Sequence, residues 1–190
     1  MVKNHDNRIR LHKRLQRKNR FFWIRSNEEP VCPDCGGKLE KKDWVKRIKK
    51  NAGGQTEKRM IERRRCTNPN CRKCHRLLPD DQVPFKHYDV GLIERIIDDD
   101  LTEEEALAAE DRPCDDTKTR WRAWAVQLVK NAEGQIRSSA HRILDLSDQF
   151  LGSRESLLEK IKERIPRGWL GVVLRVMINT GGTGTLPEPS

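Results

Sequence analysis

Five of the six cysteines fall in two tight groups. Cys32 and Cys35 sit in Cys-Pro-Asp-Cys-Gly-Gly, and Cys66, Cys71 and Cys74 form Cys-x4-Cys-x2-Cys with His75 directly behind. This is metal-binding chemistry. A Cys-x2-Cys turn lets two thiolates converge on one ion, and a second turn about 30 residues later closes a tetrahedral zinc site. Pro33 stiffens the first turn, and Gly36 and Gly37 permit the φ > 0 geometry that lets backbone N–H groups face the sulfurs. Cys32 and Cys35 are the firm pair. Cys66 and Cys71 are expected to complete the set, because Asn68, Pro69 and Asn70 between them favour a tight turn with left-handed positions. The alternative second pair is Cys71 with Cys74, with His75 behind it. Four protein ligands leave no open position for water, so a single structural Zn2+ is expected rather than a catalytic one. Nothing marks a secreted chain, so free thiols in a reducing, cytoplasmic compartment are expected instead of disulfides.

Positioning two such turns requires a hairpin between them. Leu39 to Ile48 is basic and carries Trp44, Val45 and Ile48. Asn51-Ala52-Gly53-Gly54 is a strong turn signal, and Thr56 to Arg65 returns through Met60 and Ile61. Two knuckles holding a β-hairpin is a zinc ribbon, and two strands alone are marginal, so the metal is expected to hold it.

The charge of the 190 residues follows the same division. The whole chain carries 39 Lys+Arg and 29 Asp+Glu, a formal +10. Residues 1–80 hold 24 basic and 9 acidic residues, a balance of +15, whereas residues 81–190 hold 15 and 20, a balance of −5. A basic half of this size points to a polyanion, most often nucleic acid. No stretch approaches the ~20 apolar residues of a membrane span, and the basic N-terminal segment lacks the apolar run of a secretory signal. Residues 1–25 read as a short basic helix or a disordered arm, anchored by Phe21, Phe22, Trp23 and Ile24.

The second half reads as helices. Val90, Ile93, Ile96 and Ile97 share one face of a helix over 88–97. Thr102 and Glu105 form a capping box for a short second helix. A third starts near Asp115 and runs through Trp121, Trp124, Leu128 and Val129. Three short helices with a tight second connection suggest a helix-turn-helix, whose third helix would read bases with Thr117, Lys118, Thr119, Arg120 and Arg122. Trp121 and Trp124 are expected in the core, and the solitary Cys114 as a small buried residue. Glu133 to Leu146 continues or restarts a helix, Ser153 to Ile165 is amphipathic, and Trp169 to Ile178 is a buried or partner-facing helix. The densest acidic cluster, Asp98 to Asp100 with Glu103 to Glu105, lies at a helix end and in a capped first turn, where acids have a dipole role. With no phosphate loop, Ser/His/Asp motif or open zinc site, no enzyme is expected.

The fold class expected is therefore α+β, with a basic arm over 1–29, a zinc ribbon over 30–80, a helix-turn-helix over 81–132, further helices over 133–180 and a flexible tail over 181–190. Phosphate contacts are expected from Arg14, Arg17, Lys18 and Arg20 of the arm and from Lys46, Arg47, Lys49, Lys50, Arg63 and Arg64 of the ribbon. Several motifs resemble a group of small bacterial proteins linked to insertion sequences and other mobile elements. They are Cys32-Pro33-x-Cys35-Gly36, the Arg-rich strand into Cys66, His75-Arg76-x-Leu78-Pro79-Asp80, Val83-Pro84-x-Lys86-x-Tyr88 and Thr119-x-Trp121, with a weaker echo at Gly168-Trp169-Leu170. That resemblance spans roughly residues 30–125 and implies a zinc ribbon, a helix-turn-helix and DNA binding in a mobile-element setting. Duplex DNA in the nucleoid is the expected partner, with an RNA-binding subunit or a transposase or nuclease fragment as alternatives, and a homodimer through the C-terminal helices as a possible assembly.

Overall fold

The computed structural model describes residues 16–18, 20–26, 29–51, 53–102, 113–143 and 156–179. It is a mixed α+β chain of two compact units, Met1–Asp89 and Val90–Ser190. Among the described residues no helix is long and apolar enough to cross a membrane.

The first unit is a five-stranded sheet. Its strands are β1 (Gln16–Lys18), β2 (Phe21–Ile24), β3 (Leu39–Lys50), β4 (Thr56–Cys66) and β5 (Cys74–Arg76). The hairpin β3–β4 pairs antiparallel from Leu39↔Cys66 to Lys50↔Thr56, with a bulge between Lys41 and Asp43. Strand β2 lies parallel to β4 at residues 59–61, and β5 lies antiparallel to it at 63–65, so these two share its other edge. The expected helix or disordered arm is corrected here for residues 16–24. Arg17 and Lys18 lie in β1, and Arg20, at φ 65°, turns the chain into β2. Phe-Phe-Trp-Ile is a run of strong strand formers, and pairing with β4 satisfies an edge that the hairpin leaves open. Arg14 lies outside the described residues.

Alternation along the strands gives the sheet two unlike faces. Ile24, Val45 and Ile61 stand in register on one of them, where they form a small core with Phe22 and Leu78. The segment after β5 covers this face. Leu77 and Val83 are buried, Arg47 Nη2 donates to the carbonyls of Val83 and Lys86 (both 2.9 Å), and Gln82 Nε2 donates to Ile48 O. The segment then reaches the far edge of β3, where Lys50 N–H donates to His87 O and Asp89 N–H to Lys50 O. These bonds carry the first unit to Asp89, beyond the boundary at residue 80 expected from composition.

Beneath that segment lies a buried charge cluster. Arg59, fully buried, donates to Asp81 (2.7 and 2.9 Å) and to Glu57 (2.6 and 2.9 Å). Lys49, also buried, donates to Asp81 Oδ2 at 2.7 Å and pairs with Asp89. Burial alone would raise the Asp81 carboxyl, but hydrogen bonds from Arg59 and Lys49 outweigh it and hold the group well below the usual carboxylate range.

In the second unit, α1 (Val90–Ile97) buries Leu92, Ile93 and Ile96. Helix α2 (Asp115–Ile143) is a single element of 29 residues. Its Trp121, Trp124, Ala125, Leu128 and Ala132 are buried at helical spacing, as expected of a core stripe. Helix α3 (Leu157–Arg164) is capped by Ser156, whose hydroxyl accepts from Glu159 N–H. Helix α4 (Trp169–Asn179) buries Trp169, Leu170, Val173, Leu174, Val176 and Met177, so its apolar residues are covered by the chain's own fold. Glu94 of α1 caps α4, accepting from Gly168 N–H (2.6 Å) and Leu170 N–H (2.8 Å). Asp98 accepts from Trp169 Nε1 at 2.7 Å. The expected second helix, with Glu105 of its capping box, lies outside the described residues, which break off at Thr102. Cys114 is a correction: it is exposed just before α2, its Sγ 3.1 Å from Thr117 Oγ1, because it stands at the helix start rather than on its apolar stripe.

Candidate metal centre

The two cysteine-bearing turns meet at one end of the β3–β4 hairpin. In the first, Gly36 N–H donates to Cys32 O, and Cys32 N–H to Gly37 O, both at 2.8 Å. Gly36 has φ 70° and supplies the left-handed position. Gly37 does not have positive φ, and its role is different. A Cβ there would come within 3.1 Å of Cys66 Sγ and 3.3 Å of Cys35 Sγ, so its bare Cα leaves room for the sulfurs. In the second turn, Asn68 O accepts from Cys71 and Arg72 N–H, and Asn68 Oδ1 from Asn70 N–H. The left-handed position falls at Arg72 (φ 53°), just past Cys71.

These turns bring Cys32, Cys35, Cys66 and Cys71 together, their sulfurs all within 4.8 Å of one another. Cys32 Sγ is 3.7 Å from Cys71 Sγ, and Cys35 Sγ is 3.5 Å from Cys66 Sγ. A tetrahedron of sulfurs around an ion at ~2.3 Å has edges of about 3.8 Å. The four thiols are therefore close enough to hold a metal ion, and none is in a disulfide. Cys74 lies apart. It is exposed on β5, with Lys42 Nζ 3.6 Å from its sulfur.

The backbone treats three of these sulfurs as negative centres. Burial pushes the Cys32 thiol up to about 12, against hydrogen bonds from the backbone of Asp34 and Cys35. Gly37 backbone, followed by Cys66, draws Cys35 down to about 7. Burial raises Cys66 against a bond from Asn68 backbone. Cys32, Cys35, Cys66 and Cys71 would hold a divalent cation as thiolates, whose charge it would offset against the cost of burial. His75 Nε2 stands 3.3 Å from Cys32 Sγ and 3.6 Å from Asp34 Oδ2, while Lys73 Nζ donates to Asp34 Oδ1 at 2.7 Å. Asp34 and His75 thus brace the rim of the cluster, and burial lowers the His75 pKa.

Residues 32–121 match the family model described as Domain of unknown function (DUF6431). The match begins at the first of the four cysteines and ends at Trp121, taking in the hairpin, the segment crossing the sheet and α1. No curated protein and no solved structure matches the chain.

The expected phosphate contacts divide sharply. Lys46 is exposed. Arg47 and Lys49 are corrections: half-buried Arg47 clamps the Val83–Lys86 turn, and Lys49 lies in the buried charge cluster. Basic residues on the covered face of a sheet become structural. Lys50 lies over the Tyr88 ring (5.5 Å), Arg63 pairs with Asp43, and Arg64 Nε donates to Glu62 at 2.8 Å. In α2, Lys118 pairs with Asp115 at 2.8 Å, Arg122 pairs with Asp99, and Arg120 Nη2 donates to Thr117 Oγ1, with Thr119 and Arg120 exposed. Sequence reasoning missed the structural pairing of Arg59 with Asp81. The only available signal was an Asp in the run Pro79-Asp80-Asp81, with nothing to say which cation it meets. It also missed that Trp23 and Trp44 stack edge to face, their ring centroids 4.8 Å apart.

Proposed function

We propose that the protein is a zinc-stabilised nucleic-acid-binding protein, with DNA as its partner and a bacterial mobile element as its setting. The single observation that carries this reading is the distribution of exposed cations on the first unit. Lys38, Lys41, Lys42, Lys46, Lys58, Arg65, Arg72 and Arg76 are all exposed on the sheet or its cysteine-bearing turns. Cations fixed on a rigid scaffold track phosphates. Zinc follows from the donor set: four soft sulfurs at tetrahedral spacing suit it, and a closed site of this kind serves folding. In this reading the start of α2, with Thr119 and Arg120 outward, supplies the base contacts of a helix-turn-helix.

Metal analysis of the purified chain tests the first part, with one zinc per chain expected. A salt series on duplex DNA tests the second. Four phosphate contacts would weaken binding on the order of a hundredfold between 50 and 200 mM salt. A chain that binds no nucleic acid at low salt overturns the reading. Arg120→Ala should relax base preference while leaving non-specific affinity nearly intact.

A further inference from the structure

The face of the sheet opposite the Ile24–Ile61 core carries aromatic rings and cations side by side. By register, Trp23 of β2, Met60 of β4 and Lys46 of β3 share it, and Trp44 and Ile48 lie two residues to either side of Lys46. The rings are half-buried, and Ile48 is 41% exposed. Each outer ring has a basic side chain over it. Lys41 Nζ is 4.9 Å from the centroid of Trp44, Lys46 Nζ 5.4 Å from Phe21, and Lys50 Nζ 5.5 Å from Tyr88, which joins the sheet beside Lys50. Arg25 adds a second cation 6.0 Å from Trp44.

We propose that this face binds single-stranded nucleic acid, with bases stacking on Trp44, Phe21 and Tyr88 and phosphates taken by Lys41, Lys46 and Lys50. The inference rests on the nucleic-acid reading above and gives the sheet an unpaired strand as its ligand, beside the duplex contacts assigned to α2. A duplex keeps its bases stacked on one another and offers a flat sheet only its phosphates, whereas an unpaired strand offers both a ring face and a phosphate per nucleotide. The sheet presents the complement of that pair three times. A lysine over a ring at the solvent-facing surface of a sheet contributes little, on a flexible stem. The ammonium can therefore swing to a phosphate as the base takes its place. Met60 and Ile48 between the rings provide apolar surface that a base edge can cover.

The test uses the full, zinc-loaded chain with oligothymidine and oligouridine of about 15 nucleotides and a duplex of equal length. Binding of both single strands, with quenching of tryptophan fluorescence, is expected. Trp44→Leu should weaken single-strand binding about tenfold and change duplex binding by less than about threefold. Ile48→Glu, at a position 41% exposed, should weaken single-strand binding at least as much by placing a negative charge among the cations. The absorption of the Co2+-substituted site verifies that both variants fold. Unchanged single-strand affinity in Ile48→Glu overturns the proposal, as does a wild-type chain that binds duplex but neither single strand. In that last case nucleic-acid binding stands and only this platform falls, whereas a chain that binds neither form removes both.

Discussion

At the scale of single residues, the cysteine cluster decides the behaviour of the metal. With no ion bound, burial sets Cys32 at about 12, and the backbone of Gly37 draws Cys35 down to about 7. At neutral pH the buried thiols are therefore protonated, and metal must displace those protons. Zinc affinity should fall steadily as pH is lowered, and competition with a chromophoric chelator measures it. Cys66→Ser should abolish stoichiometric zinc, whereas Cys74→Ser should leave it intact, because Cys74 stands outside the cluster. The first pair was legible from spacing alone. The choice of Cys66 over Cys74 was favoured by the Asn-Pro-Asn turn and is supported by a distance. The reason for Gly37 was not legible, since a glycine kept for space and one kept for φ look alike in sequence.

At the scale of elements, two carboxylates tie segments that are far apart in the chain. Asp81 joins β3 and β4 to the segment that crosses them, through Lys49 and Arg59. Its folded carboxyl lies below the ordinary value, so its contribution is full above about pH 4 and is lost as pH falls further. Asp81→Asn should cost about 3 kcal/mol at neutral pH, by leaving Arg59 and Lys49 under-compensated, and should flatten the acid limb of the stability curve. Denaturant melts across pH measure both. Glu94 does for the helices what Asp81 does for the sheet. Glu94→Ala removes acceptors from Gly168 and Leu170 N–H and should cost about 2 kcal/mol, read in the same melts. Strand and helix periodicity showed where these elements lie, but long-range pairing of charges leaves no periodic trace.

At the scale of the whole molecule, the charge asymmetry follows the division into two compact units. The first unit, Met1–Asp89, holds 25 basic and 11 acidic residues, a balance of +14, and carries the cysteine cluster, whereas Val90–Ser190 holds 14 and 18, a balance of −4, and is a helical unit with its own core. Removing metal with a chelator should lower the melting temperature of the first unit and leave the helical transition in place. Circular dichroism at a helical wavelength, beside tryptophan fluorescence, separates the two. A single shared transition that shifts as one would show the units to be coupled.

The chain's sequence by itself determined the clustering of metal-ligating cysteines, the hairpin between the cysteine turns, the positions of most described helices and the basic charge of the first unit. Each is a local matter, set by spacing, turn residues or a count. Tertiary structure decided what each basic residue is for. The pleat turns alternate residues to opposite faces, and only one face is covered. Lys49 and Arg59 therefore became buried ties and Arg47 a half-buried one, while Lys46, one residue from Arg47, stayed in water. The same alternation set Trp23 and Trp44 on the opposite face, where a strand that sequence patterning read as an arm brings one ring against the other.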